Sequence, residues 1–199
     1  MTEIIFATNN AHKLAEVQAV LGDGFRLKTP RECGITEEIP ETQPTLEGNA
    51  SQKARYLHNR TGGNCFADDT GLEVCALGGA PGVHSARYAT DGHDFEANNR
   101  LLLKNLQGVT DRRARFRTVI SLILNGEEHL FEGIVEGRIA DRPSGVEGFG
   151  YDPLFIPDGF EKTFAEMTAE EKNEISHRGR AVRRLADFLT NLHCSEPER

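Results

Sequence analysis

Residues 64–74 read Asn-Cys-Phe-Ala-Asp-Asp-Thr-Gly-Leu-Glu-Val. Cys65, Phe66 and Ala67 make a short apolar strand that runs into two adjacent carboxylates, Asp68 and Asp69, and a second apolar run begins at Leu72. Asp at the first position of a tetrapeptide and Gly at the fourth is ordinary turn chemistry, so one reading is a tight turn at Thr70-Gly71 between two strands. The other reading is a metal and water site. Neighbouring carboxylates repel unless a cation lies between them or one takes a proton. Mg²⁺ accepts one or two carboxylates plus substrate phosphates, and a spare carboxylate can then act as base towards water.

Upstream, residues 3–8 contain the continuous apolar run Ile4, Ile5, Phe6, Ala7, which suits a buried strand. A helix follows, with Leu14, Val17 and Leu21 at helical spacing and Asn9 or Asn10 as its cap. A strand, a short polar loop and a helix start form either an ordinary connection or an anion site, with free N–H groups, a favourable dipole and Lys13 at hand. The loop is not a Walker A sequence. Residues 25–28 read as a strand. Residues 31–44 read as a polar loop whose carboxylates, Glu37, Glu38 and Glu41, are solvated unless one completes a metal site. Residues 45–60 read as a helix capped by Thr45, with the stripe Leu46, Ala50, Ala54, Leu57. Lys53 falls inside that stripe and Asn49 beside it. A lysine there either snorkels out or reaches a buried anion, and Asp68-Asp69 comes next in the chain.

Downstream, residues 77–88 form a Gly/Pro loop, and residues 94–106 an amphipathic helix that reads as packing rather than chemistry. Asn125-Gly126 between residues 113–124 and 128–139 is a type I′ hairpin signal. Strands of that length extend about 37 Å, enough to span the protein and to carry a dimer contact. Within residues 144–158, Gly145, Gly148 and Gly150 are no dinucleotide fingerprint, because Pro153 follows and no helix opens. Phe149 between glycines offers a base-stacking platform, or else fills a core. Thr168 and Glu171 form a capping box. Ser176, His177 and Arg178 open a last helix with the stripe Val182, Leu185, Phe188, Leu189, Leu192. Cations at a helix start are misplaced unless an anion or polar ligand compensates them.

The chain has 199 residues, 38% hydrophobic and 27% charged, which is globular composition in an amount that fills one domain or two small lobes. A net charge of −8 argues against a general nucleic-acid binder, while leaving room for local cations around a small anion. The four cysteines, Cys33, Cys65, Cys75 and Cys194, form no C-x-x-C pair, which suits reduced thiols in a cytoplasmic protein better than zinc or a disulfide framework. We expect no signal peptide, no membrane span and a disordered tail over residues 195–199.

Taken together, these stretches resemble the inosine-triphosphatase-like pyrophosphatases, which cleave non-standard purine nucleoside triphosphates to monophosphate and diphosphate. The matching pieces are Thr8-Asn9-Asn10-Ala11-His12-Lys13, Glu47-Gly48-Asn49-Ala50 with Lys53-Ala54, and Ala67-Asp68-Asp69-Thr70-Gly71-Leu72. They continue with Leu77-Gly78-Gly79-Ala80-Pro81-Gly82 and Ser85-Ala86-Arg87-Tyr88, then Gly148-Phe149-Gly150-Tyr151-Asp152-Pro153, then Glu171-Lys172-Asn173 and Ser176-His177-Arg178. The resemblance implies an α/β fold: a long curved mixed β-sheet with flanking helices, one domain over residues 1–199 with two lobes and the active site in the cleft between them. It implies that Thr8, Asn9, Asn10, Ala11, His12 and Lys13 hold the phosphate chain. Asp69 would be the general base, with Asp68 and Asp69 on Mg²⁺ and Glu41, rather than Glu38, as the outer carboxylate. Lys53 would contact the scissile phosphate region and Thr70 would lie near sugar and phosphates. Phe149, Gly150, Tyr151 and Asp152, with Lys172, His177 and Arg178, would hold the nucleotide. A cytoplasmic homodimer is the implied assembly, with nucleoside triphosphates as partners and neither nucleic acid nor membrane. Thr70 stands where Ser is common in this family, and both offer a hydroxyl.

Two other readings compete. Asp69-Thr70-Gly71 is also the aspartic-protease tripeptide, but that class needs two such aspartates on an all-β scaffold, and this chain has one copy among several helical stretches. A catalytically inactive purine-nucleotide-binding module would have no use for a base, whereas Lys53 and both aspartates are present.

Overall fold

The computed structural model describes residues 2–194. The elements in chain order are β1 (Thr2–Phe6), α1 (Ala11–Leu21), β2 (Phe25–Lys28), α2 (Leu46–Thr61), β3 (Cys65–Val74) and β4 (Pro81–Gly82). They continue with α3 (Phe95–Asn105), β5 (Arg113–Leu124), β6 (Glu127–Ile139), β7 (Phe155–Pro157), α4 (Ala169–Ile175) and α5 (His177–Cys194). The sheet order is β2-β1-β3-β5-β6-β7, with β4 paired to β3 off that path. β1 runs parallel to β2, with Ile4 opposite Leu27, and parallel to β3, with Phe6 opposite Phe66. β3–β4 and β6–β7 are antiparallel, so the sheet is mixed and the protein α/β. The expected tail, residues 195–199, lies outside the described residues.

Local chemistry sets the helix starts. Asn10 caps α1, its side-chain oxygen accepting from the N–H groups of His12 at 2.9 Å and Lys13 at 3.3 Å. Thr45 caps α2 through the Gly48 N–H at 3.0 Å. Thr168 and Glu171 close a reciprocal capping box on α4. Asn125 and Gly126 have φ of 52° and 86°, the pair of positive values that a type I′ hairpin turn requires.

At residues 64–74 the turn reading fails. β3 continues unbroken from Cys65 to Val74, with Asp68, Asp69, Thr70 and Gly71 inside it. Local turn propensity is overridden because the strand is held in the sheet at both ends, to β1 through Cys65 and Phe66 and to β4 through Leu72 and Glu73, and is also hydrogen-bonded to β5. Gly71 serves close approach rather than a turn. A Cβ there would lie 2.6 Å from the Gly82 carbonyl oxygen and 2.9 Å from its carbon. Backbone cannot swing aside as a side-chain tip can, so Gly71→Ala should cost about 1–3 kcal/mol, read as a fall of several degrees in thermal midpoint. An unchanged midpoint would mean that β4 shifts without cost.

The chain divides into two compact units. Among the described residues the first comprises 2–69, 119–133 and 178–194, and the second 70–118 and 134–177. In the first, Ile4, Phe6, Val17, Leu21, Phe66, Ile120 and Leu122 pack with Ala181, Val182, Leu185 and Leu189 of α5. Phe6 and Phe66, side by side on paired strands, stack at 4.5 Å. In the second, Leu72, Leu102, Leu106, Phe116, Tyr151, Leu154, Phe155 and Phe164 belong to one core. β3, β5 and β6 each contribute residues to both units.

Candidate active site

In the first unit, strand β3 brings Asp68 and Asp69 into the interior, 1% and 8% exposed. The two side chains hydrogen-bond to different partners, although Lys13 and Lys53 act electrostatically on both. Asp68 Oδ1 accepts from Lys13 Nζ at 2.9 Å, and Asp68 Oδ2 from Arg178 Nε at 3.2 Å. Arg178 Nη1 also donates to Glu16 at 2.5 Å. Burial pushes the Asp68 carboxyl up, but Lys13, Arg178 and Lys53 outweigh it and hold the group well below the usual carboxylate range. Arg178 stands at the start of α5, where the helix dipole opposes a cation, and these carboxylates supply the compensation.

Asp69 faces α2. Asn49 Nδ2 donates to its Oδ2 at 3.1 Å, and Lys53 Nζ lies 3.5 Å from its Oδ1. Lys53 and Asn49 are each 4% exposed, so the lysine in the apolar stripe does reach a buried anion rather than snorkelling out. Lys53 also donates to Glu41 at 2.5 Å. Burial favours its neutral form, but Asp69, Glu41 and Asp68 overcome that and raise its pKa. Asp69 behaves in the opposite way to Asp68. Burial, reinforced by Glu41, raises its pKa despite Lys53, Lys13 and the Asn49 hydrogen bond. Its charge is therefore under-compensated, the condition a general base or a cation ligand needs.

In the second unit, Asp152 and Lys172 form a buried pair, 2.6 Å apart and 3% and 4% exposed. Asp152 Oδ2 also accepts from the Phe149 N–H at 2.8 Å. A Cβ on Gly148, which has φ of 73°, would lie 2.1 Å from that same oxygen, so only glycine lets the loop close over Asp152. Lys172 Nζ lies 5.2 Å from the Phe149 ring centroid, and that ring is half-buried rather than sealed in a core. His177 is buried and stacks on Phe116 at 4.5 Å, with ring planes 12° apart. The Thr70 and Thr118 hydroxyls meet at 2.7 Å.

The Ham1 family model matches residues 4–188 of the chain. The chain belongs to the Ham1 family. A dITP/XTP pyrophosphatase of Porphyromonas gingivalis is 54% identical over 190 residues, 95% of this chain and 98% of that protein. One of Flavobacterium johnsoniae is 48% identical over 188 residues, 94% and 98% of the two chains. Among solved structures, the Ham1 protein of Staphylococcus aureus superposes with a TM-score of 0.87 at 40% identity, covering 96% of this chain and 99% of its own. A HAM1 protein from Coxiella burnetii gives 0.88 at 40% identity, covering 96% and 100%. The α/β fold with a mixed sheet is thus that of Ham1 proteins.

For this Ham1 chain the structure gathers Lys13, Lys53, Glu41, Asp68, Asp69 and Arg178 around β3 in the first unit. Phe149, Asp152 and Lys172 come together in the second. Thr8 is buried and its hydroxyl accepts from the Asn10 N–H at 3.1 Å, while Asn9, Ala11 and His12 are exposed. Among the described residues no group of three or more His, Cys, Asp or Glu side chains is arranged to hold a metal ion. The reason is visible in the contacts above, since Asp68 faces Lys13 and Arg178 and Glu41 faces Lys53. Glu16 and Asn49 were not singled out for the site from sequence. Asn49 carried a signal, standing beside the apolar stripe one turn before Lys53, whereas Glu16 had none. No described helix is long and apolar enough to cross a membrane.

Proposed function

We propose that the chain hydrolyses non-standard purine nucleoside triphosphates, those of inosine, deoxyinosine and xanthosine, between the α and β phosphates, giving monophosphate and diphosphate. The observation that carries this reading is Asp69, a buried carboxylate of raised pKa beside Lys53, in a chain 54% identical to a dITP/XTP pyrophosphatase. Asp69 takes the proton of the attacking water, while Asn49 fixes one carboxylate oxygen and leaves the other towards Lys53. Lys53 and Lys13 neutralise charge on the departing diphosphate. The Thr8–Lys13 segment, at the positive end of the α1 dipole, holds the phosphate chain, and Thr70 lies near sugar and phosphates. Phe149 stacks on the base, with Gly150, Tyr151, Asp152, Lys172, His177 and Arg178 around the nucleotide. The residues present fit a divalent cation: the under-compensated Asp69 would hold it, with Asp68 and Glu41 as the further carboxylates. Mg²⁺ bound there supplies neutralisation of the phosphate oxygens. The protein acts in the cytoplasm as a homodimer, and sedimentation of the purified chain tests the dimer.

The reaction itself is tested by analysing products from inosine triphosphate with Mg²⁺ and with EDTA. We expect inosine monophosphate and diphosphate in equal amounts, and loss of turnover when the metal is removed. Inosine diphosphate and orthophosphate as first products would refute the assigned bond.

A further inference from the structure

Helix α3 read as packing alone in the sequence, yet three of its side chains reach the two loops that precede and follow it. Asn98 is 1% exposed, and its carbonyl oxygen accepts from the Ala89 N–H at 2.8 Å. Its amide nitrogen lies 3.1 Å from the Ala86 carbonyl and 3.4 Å from that of Ser85. Asn99 Nδ2 donates to the Gly150 carbonyl at 3.0 Å. The Phe95 ring lies 6.0 Å from the Phe149 ring, tilted by 48°. The two loops are also tied to each other, since Tyr151 Oη donates to the Ser85 carbonyl at 2.8 Å. Asn99 Oδ1 is buried and has no hydrogen-bond partner among the described residues. An amide that leaves its acceptor unpaired in the interior carries a cost. What fixes its orientation here is therefore the bond to Gly150 and not its surroundings in the helix.

Resting on the reading of Phe149 as the base platform, we propose that Asn99 and Phe95 are positioning residues that hold the Phe149–Gly150 backbone and ring for the purine. Asp152, paired with Lys172 of α4, accepts from the Phe149 N–H of the same loop. The base platform is then clamped between α3 and α4, and the α3 half of the clamp touches no phosphate-binding residue described above. Its contribution is specific to the base end of the nucleotide.

Asn99→Asp replaces the donor facing Gly150 with an acceptor of the same shape. Calorimetric titration with inosine monophosphate should show binding about tenfold weaker, and KM for inosine triphosphate should rise by a similar factor with kcat within about twofold. Inhibition by inorganic tripolyphosphate, which has no base, should stay within about twofold. Asn99→Ala, which also removes the donor, should behave alike and serves if the aspartate variant does not fold. Arg100→Ala, on the exposed side of the same helix, should leave every value at wild type. Unchanged monophosphate binding in folded Asn99 variants would overturn the proposal. So would monophosphate and tripolyphosphate weakening together, the mark of general loosening, or a wild-type protein with no affinity for the monophosphate. Failure of the pyrophosphatase reading is a separate result: wild type binding the monophosphate, weakened by Asn99→Asp, without hydrolysing the triphosphate.

Discussion

Asp69→Asn is expected to lower kcat for inosine triphosphate by ~10²–10⁴, the usual weight of a general base, and at the same time to raise the thermal midpoint. The two effects have one cause. A carboxyl whose pKa is higher in the folded protein than in the unfolded chain binds its proton more tightly when folded, so its ionised form opposes folding at neutral pH. Asparagine removes that charge. Its own side-chain oxygen can still accept from Asn49, and Lys53 keeps Glu41 as a partner. The stability gain should be full above the raised pKa of Asp69. It should shrink as pH falls through that value and vanish below the ordinary aspartate value of about 3.9. Thermal melts of both proteins across pH 3–8, beside steady-state kinetics, check both halves. Near-normal turnover in the variant would remove Asp69 from the chemistry, and a lower midpoint at pH 7 would contradict the electrostatic account of the site.

Inosine triphosphate should be preferred over ATP by ~10⁴ in kcat/KM. Hypoxanthine presents an oxygen at position 6 and adenine an amino group. A cationic donor such as Arg178 pairs with the first, whereas facing the second it leaves two donors unpaired in a desolvated place. Arg178→Ala should therefore compress the preference. It should also lower kcat, because Arg178 holds Asp68 through Nε as well as Glu16 through Nη1. The same argument admits GTP, which shares the 6-oxygen, so its exclusion must rest on the 2-amino group. The measurement is a comparison of ITP, XTP, GTP and ATP on wild type and Arg178→Ala. Equal kcat/KM for ITP and ATP would end the 6-oxygen readout, and an unchanged preference in the variant would move it to another donor.

What could be read from sequence was what local pattern encodes. The stripe of α2 placed Lys53 and Asn49 inward, the Asn125-Gly126 turn set the hairpin, and the caps at Asn10, Thr45 and Thr168 fixed three helix starts within a residue. The turn reading of Asp-Asp-Thr-Gly failed because turn propensity is local, while the pairing that carries β3 through these residues comes from β1, β4 and β5. Arg178 signalled the need for an anion, but its partners could not be named. Glu16 lies 162 positions away and Asp68 lies 110 away. The role of Asn99 was hidden likewise, because an asparagine on a helix shows nothing of a carbonyl 51 residues later.

The division of the chain at Asp69, Thr118, Gly133 and His177 has a consequence for synthesis. The second unit is complete once His177 has left the ribosome. The first still lacks α5, whose Ala181, Val182, Leu185 and Leu189 complete its core. Domains usually fold from the N-terminus during translation, but here residues 2–69 must wait for α5, which is made after the whole of the second unit. Until then Ile4, Phe6 and Phe66 stay without their final cover, in a nascent strand layer open to wrong pairing. Neither unit can be expressed as one uninterrupted piece, and a stop codon anywhere before α5 removes the residue that clamps Asp68.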